Sequence, residues 1–318
     1  MGGVQTHFAT LCEYFSKFHE VKYTSMRTDG AEPIIKKRME KFECLNFAEL
    51  SRWADVIHFD LYENFECNYS KVLAAKSIVT LVNFRFSIGF IRRSLKYHFP
   101  IFFTAMSQTI ADNVKVAAEI IYSGVDTERF KPLAKVEKKY DVLILGRMRP
   151  IKNHRLFIDI CKKGNFSFVA IGGTAGHFTG HVNEIEQMVR GAAKPGRDFV
   201  PGVVEDQEIV PLINQARVAV VTSVSEGLGL NALEPMSCGL PVVAVDNGGS
   251  KEALGSDNLC GMVLDKSTTL QDFVEAIQKC MNDKDMQRNA RERICTIFSM
   301  DKVFDGYSKV YSKICGER

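Results

Sequence analysis

With 318 residues, 25% of them charged and a formal net charge of +3, the chain is longer than one core usually serves and lacks the dominant basic face of a nucleic-acid binder. Nine cysteines, an odd number with no C-x-x-C pair, argue for reduced core thiols rather than a disulfide framework. No apolar run reaches the length of a membrane span and no signal-type segment opens the chain, so two domains in the cytosol are expected.

The chain opens on the glycine loop Met1-Gly2-Gly3, which feeds a helix with Phe8, Leu11, Cys12, Phe15 and Phe18 at helical spacing. In a doubly wound fold such a loop follows the first strand, so either the fold lacks that strand or the sequence begins late. Gly2 with Thr6 also fits the nominal N-myristoylation pattern, but the glycine-loop reading explains both glycines. Pro33 to Phe42 carries Lys36, Lys37, Arg38 and Lys41, and Arg92, Arg93 and Lys96 form a second basic cluster. Each is either a solvated face or a contact with an anionic membrane or substrate. Asp55 to Phe59 reads as a strand that places His58 at its C-terminal end, where open α/β sheets bind ligands. Ser77 to Val82 is a strand followed by Asn83 and Arg85, Ile101 to Met106 a strand, Thr109 to Ala118 a helix, and Glu119 to Tyr122 a strand. His58, Asn83 and Arg85 are the candidate acceptor-side residues. Ser123 to Pro132 is a turn leaving the first domain, and the charged run Lys131 to Lys139 has a linker's composition. The domains are therefore placed at 1–133 and 140–300.

In the second domain, Tyr140 to Leu145 is a strand, after which Arg147 and Lys152 stand on a loop and Asn153 caps a helix running to Lys162. Phe166 to Ile171 is a strand, and the Gly172 to Gly176 turn resembles a nucleotide loop only weakly, having no P-loop lysine. Glu184 to Gly191 is helical, Asp198 to Val200 a strand, and Asp206 to Ala216 a helix. The densest stretch lies between the apolar runs Val218 to Thr222 and Val242 to Val245, which read as buried parallel strands. In it, Glu226, Gly227, Leu228, Gly229, Leu230, Asn231 and Glu234 combine a glycine turn, a helix start and two carboxylates. The turn leaves the amides of Gly229, Leu230 and Asn231 free to face a phosphate. Carboxylates beside a phosphate need hydroxyl partners, and a ligand with both phosphates and sugar hydroxyls satisfies the set. Pro235 cannot donate to the Asn231 carbonyl, so the motif helix is expected to begin late or to kink. Asp246 to Glu252 reads as a turn, Leu270 to Asn282 and Ala290 to Phe298 as helices, and Asp283-Lys284-Asp285 as surface between them. Tyr307, Val310, Tyr311 and Ile314 stripe a last helix. Strands alternating with helices in both halves predict an α/β fold of two doubly wound, Rossmann-like domains facing a cleft.

These stretches resemble the retaining GT-B glycosyltransferases of the glycosyl transferases group 1 (GT4-like) family. The resemblance rests on Gly2 to His7, His19 to Val21, Asp55 to His58, Ser123 to Pro132, Gly146-Arg147 with Lys152-Asn153, Glu226 with Glu234, Gly239 to Val243, and Gly248-Gly249 with Glu252. It implies a UDP- or GDP-linked sugar as donor, with no cofactor or metal, and transfer to a hydroxyl acceptor such as a lipid-linked or glycan precursor. By that resemblance Arg147 and Lys152 bind the diphosphate, the Gly227 to Asn231 amides its distal phosphate, Glu226 the sugar hydroxyls and Glu234 the ribose. Gly2 and Gly3 close on the phosphates from the other domain, and helix 301–316 packs back on the first domain. No obligatory protein partner is implied. Val82 and Asn83 stand where the family often has a histidine, so the acceptor half is atypical. An inactive nucleotide-sugar-binding protein, a transferase acting on modified nucleic-acid bases, and an epimerase or phosphorylase of the same fold are the competing readings. A dinucleotide oxidoreductase is disfavoured, since no G-x-G-x-x-G follows a strand.

Overall fold

The computed structural model describes residues 3–24, 37–59, 76–82, 101–173 and 181–316, with only the backbone described at 3–6 and 181–183. The chain divides into two compact units, Met1–Gly124 with Asp301–Arg318, and Val125–Met300.

In the first unit, α1 (Gly3–Phe15) and α2 (Phe47–Trp53) precede β1 (Val56–Phe59), β2 (Lys76–Leu81), β3 (Ile101–Ala105), α3 (Gln108–Val114) and β4 (Glu119–Ile120). The strands pair in parallel in the order β1-β2-β3-β4. Five consecutive residues of β2, Ser77 to Leu81, are buried, as a strand covered on both faces requires, whereas β1 alternates as an edge strand does. The expected helix through Ala118 stops at Val114, because Lys115 takes a left-handed conformation and closes it. An unforeseen capping box opens α2, with Asn46 Oδ1 accepting from the Glu49 amide and Glu49 Oε2 from the Asn46 amide.

The second unit holds β5 (Tyr140–Leu145), α4 (His154–Gly164), β6 (Phe168–Ile171), α5 (His181–Ala192), β7 (Phe199–Gly202), α6 (Ile209–Asn214), β8 (Ala216–Val221), α7 (Leu230–Ser237), β9 (Val242–Val245), α8 (Gly249–Leu254), β10 (Gly261–Leu264), α9 (Leu270–Met281) and α10 (Lys284–Ile297). Its six parallel strands run β10-β9-β8-β5-β6-β7, a doubly wound order that reverses direction between β5 and β8. The core joins Val142, Ile144, Val218, Val220 and Val243 of the sheet to Phe157 of α4 and Phe273 and Ile277 of α9. The last helix, α11 (Met300–Cys315), carries the chain back into the first unit.

Four expectations are corrected here. The turn at Asp246 to Glu252 is largely the helix α8, whose N-cap Gly248 and first residue Gly249 hid its start. The helix placed at Asp206 to Ala216 is confined to α6, because Ala216 already pairs with Tyr140 in the sheet. Of the late start or kink expected for α7, the late start is not found: the helix begins at Leu230 directly after Gly229, with Pro235 inside it. Asp283-Lys284-Asp285 is at the surface as expected, Lys284 and Asp285 being exposed, but only Asp283 stands between the helices: it caps α10 through the Met286 amide at 2.9 Å, and Asp285 lies in that helix's first turn.

Candidate functional site: the switch point of the second sheet

The loops after β5 and β8 leave the sheet side by side at the point where strand order reverses, the position at which such sheets bind ligands. Two hydrogen bonds stitch them together: Thr222 Oγ1 donates to the Lys152 carbonyl at 2.8 Å, and the Val224 amide to the Ile151 carbonyl at 2.9 Å. The Lys152 side chain then passes 3.5 Å from where a Cβ on Gly146 would stand, and its ammonium pairs with Glu226 Oε1. The pair is largely shielded, with side chains 20% and 18% exposed. Arg147 follows Gly146 on the same loop, half-buried. Asn153 caps α4 as expected, accepting from the Leu156 amide at 3.4 Å.

Glu226 lies over the glycine turn, its Cγ 3.6 Å from the Cβ position of Gly229. Gly229 has φ of 86°, a conformation that favours glycine, and α7 begins on the next residue with no side-chain cap. Its first amides therefore lack intrahelical acceptors and lie at the positive end of the helix dipole. Glu234, one turn further along α7, is half-buried, and burial pushes its carboxyl up to about 7 while the Arg129 and Lys152 cations oppose the rise.

A third loop, after β9, supports this turn. The Glu226 amide donates to the Asn247 carbonyl at 3.1 Å and the Gly249 amide to the Glu226 carbonyl at 3.1 Å. A Cβ on Gly249 would meet the Gly227 carbonyl oxygen at 2.5 Å and Leu228 Cα at 2.8 Å, so only glycine lets the two backbones lie this close. Asn231 Oδ1 and Asn247 Nδ2 are buried beside the turn without a protein partner. Thr222 and Asn247 were missed from sequence. Their signal was position alone, one residue past β8 and two past β9, where an open sheet presents its loops.

The acceptor-side candidates fare differently. Asn83 and Arg85 lie outside the described residues, as do Gly2 and the Arg92 to Lys96 cluster, while Gly3 is the first residue of α1. His58 has both ring nitrogens engaged inside the first unit, Nδ1 with the Tyr311 hydroxyl at 2.8 Å and Nε2 with Thr80 Oγ1 at 2.6 Å. Thr80 Oγ1 continues to Thr104 Oγ1 at 2.8 Å and to the Tyr307 hydroxyl at 3.2 Å. Burial, with His7 nearby, lowers His58 to about 3. Arg38 and Lys41 of the first basic cluster turn to Glu13 of α1, at 3.1 Å from Arg38 Nε and 3.2 Å from Lys41 Nζ. Among the described residues no group of three or more His, Cys, Asp or Glu side chains could hold a metal ion, and no helix is long and apolar enough to cross a membrane.

A doubly wound parallel sheet with a glycine turn, a helix start and a lysine–glutamate pair at its switch point places the second unit among the doubly wound α/β domains. The family follows from comparison: residues 125–294, more than half of the chain, match Glycosyl transferases group 1, and the chain belongs to that family. It is 28% identical over 209 residues to an uncharacterized glycosyltransferase of Methanocaldococcus jannaschii, covering 64% of this chain and 56% of that one. The chain spans about half the length of the curated relatives it matches. Its fold is GT-B, similar to a glycosyltransferase from Rickettsia africae (TM-score 0.82, 16% identity, 100% and 96% of the two chains). It is also similar to Anabaena HepE, solved in complex with UDP-glucose (TM-score 0.81, 17% identity, 98% and 96% covered).

Proposed function

We propose that the protein is a glycosyltransferase that moves a sugar from a UDP- or GDP-sugar to a hydroxyl acceptor, with retention and without a metal ion. The observation that carries the reading is the Lys152–Glu226 pair at the switch point, set beside the first amides of α7. Membership of the glycosyl transferases group 1 family and the likeness to HepE in complex with UDP-glucose support the donor class.

In this reading the sugar C1–O bond to the diphosphate breaks and a bond from C1 to the acceptor oxygen forms. The acceptor's proton passes to an oxygen of the departing diphosphate. Negative charge grows on that leaving group, and Arg147, Lys152 and the Gly227 to Asn231 amides are fixed dipoles and cations aimed at it, which lowers the barrier without reorganisation. Lys152 bonded to Glu226 before the donor arrives is held in place, while Glu226 retains a second oxygen for the sugar hydroxyls. Glu234 accepts from the ribose. The acceptor belongs to the class of lipid-linked or glycan precursors, and the protein works at the cytoplasmic side, peripherally where the membrane is anionic.

Turnover of a panel of UDP- and GDP-sugars in EDTA tests this. The wild type is expected to transfer the sugar and Lys152→Ala and Glu226→Ala to have lost that activity; dependence on a divalent ion, or full activity in both variants, overturns it.

A further inference from the structure

The segment 125–132, conspicuous in the sequence, takes no part in the chemistry above, yet it is heavily tied within the second unit. Asp126 Oδ1 accepts from the amides of Glu128 at 3.1 Å and Arg129 at 3.0 Å, making a compact turn. Phe130 is buried, and Arg129 Nη2 reaches Asp206 Oδ1 at 2.7 Å. From α10, Arg291 gathers this strap and the end of α7 into one fork. Its Nη1 donates to the Phe130 carbonyl at 2.6 Å and to the Ser237 carbonyl and hydroxyl, each at 2.9 Å, and its Nη2 donates to the Thr127 carbonyl at 2.9 Å. The Ser237 hydroxyl in turn donates to the Phe130 carbonyl at 2.6 Å.

α7 needs such a tie. It is only eight residues long, has no side-chain cap, and contains Pro235, which removes the bond its amide would make to the Asn231 carbonyl. A short helix moves as a rod, so a shift at Ser237 is felt at Leu230. Arg291 is also a cation at the negative end of that helix.

We infer that Arg291 is a positioning residue for the donor site: by pinning the C-terminal end of α7 to the 127–130 strap, it sets where the anion-binding amides and Glu234 stand. The inference rests on the reading of α7 as the donor helix. It gives the strap a purpose that its sequence alone did not disclose.

Hydrogen–deuterium exchange and nucleotide titration test it on Arg291→Lys, with the milder Ser237→Ala as the second variant should the first not fold. The expected result is faster exchange in 226–238 and 125–132 together, with 140–171 unchanged, and a nucleotide Kd about tenfold weaker well below the melting temperature, the loss of one or two charge-assisted hydrogen bonds. Combined with Glu234→Gln, the effects on Kd should be non-additive. A variant that melts earlier but keeps wild-type exchange in both segments and wild-type Kd has lost only stability, and overturns the inference. A wild type that binds neither UDP nor GDP refutes the donor reading instead, and the exchange pattern still decides whether Arg291 positions α7.

Discussion

Gly249→Ala perturbs the donor turn from the neighbouring β9 loop, at a residue that is itself given no contact with the ligand. Its Cβ would stand 2.5 Å from the Gly227 carbonyl oxygen and 2.7 Å from the Gly227 carbonyl carbon, both backbone atoms that cannot swing aside. The two loops must part by roughly 1 Å to reach ordinary van der Waals separation. That movement strains the bond from the Gly249 amide to the Glu226 carbonyl and displaces the amides that precede α7. Overpacking of this kind costs about 1–3 kcal/mol of stability, and a displacement of about 1 Å at a positioned site costs about 10²-fold in turnover. Calorimetric titration with the nucleotide, alongside transfer rates at a temperature where the variant is fully folded, measures both. Wild-type Kd and turnover in a well-folded Gly249→Ala protein would refute the claim that the β9 loop holds the donor turn.

Other outcomes follow from the same geometry. Gly191 sits near the end of α5 with nothing within 4 Å of a Cβ, so Gly191→Ala should stabilise by about 0.5–1 kcal/mol and leave nucleotide binding unchanged; lower stability in denaturant melts would contradict it. Burial lowers His7 to about 4 and His58 to about 3, below the unfolded value of 6.5, so the stability of their neutral forms is present above pH 6.5 and is lost as pH falls toward those values. Between pH 7 and 5 His7, 7% exposed, costs about 2 kcal/mol, and His58 up to as much again. The facing hydroxyls of Tyr307 and Tyr311 are pushed up and stay neutral there. Denaturant melts of wild type and His7→Gln across that range should diverge, and parallel curves would sink the idea. Glu234, raised to about 7, is a carboxylate acceptor only above that value, so nucleotide affinity should fall about tenfold from pH 8 to 6 and the dependence should flatten in Glu234→Gln; a flat wild-type profile would exclude the ribose role.

Much of the second unit was legible because its strands are buried on both faces and read as unbroken apolar runs, as Val242 to Val245 does from end to end. The glycine turn and Asn153 cap were legible because each has a local cause, a positive φ or a side-chain oxygen beside free amides. What escaped depends on partners distant in sequence. α8 was hidden because Gly248 and Gly249 read as a turn, whereas Gly248 takes a φ of 99° just before the helix and Gly249 is required by the approach of Gly227 from another loop. β10 was missed because three of its four residues are only half-buried, so no run stands out. The engagement of His58 by Tyr311, and of Ser237 by Arg291, joins residues from opposite ends of the chain or from separate helices, and no spacing announces either. The capping box at Asn46 and Glu49 was readable in principle and was overlooked.

The central claim is that the switch-point site of the second unit holds a nucleotide-diphosphate sugar. Thermal unfolding of the whole chain in EDTA with UDP, GDP and their sugar conjugates tests it most directly, because a ligand bound only by the native state stabilises it by about 2.7 kcal/mol at 100 times Kd. A rise of a few degrees with one nucleotide series, lost in Lys152→Ala, is the predicted result. No shift with any of them, or the same shift in Lys152→Ala, would contradict it.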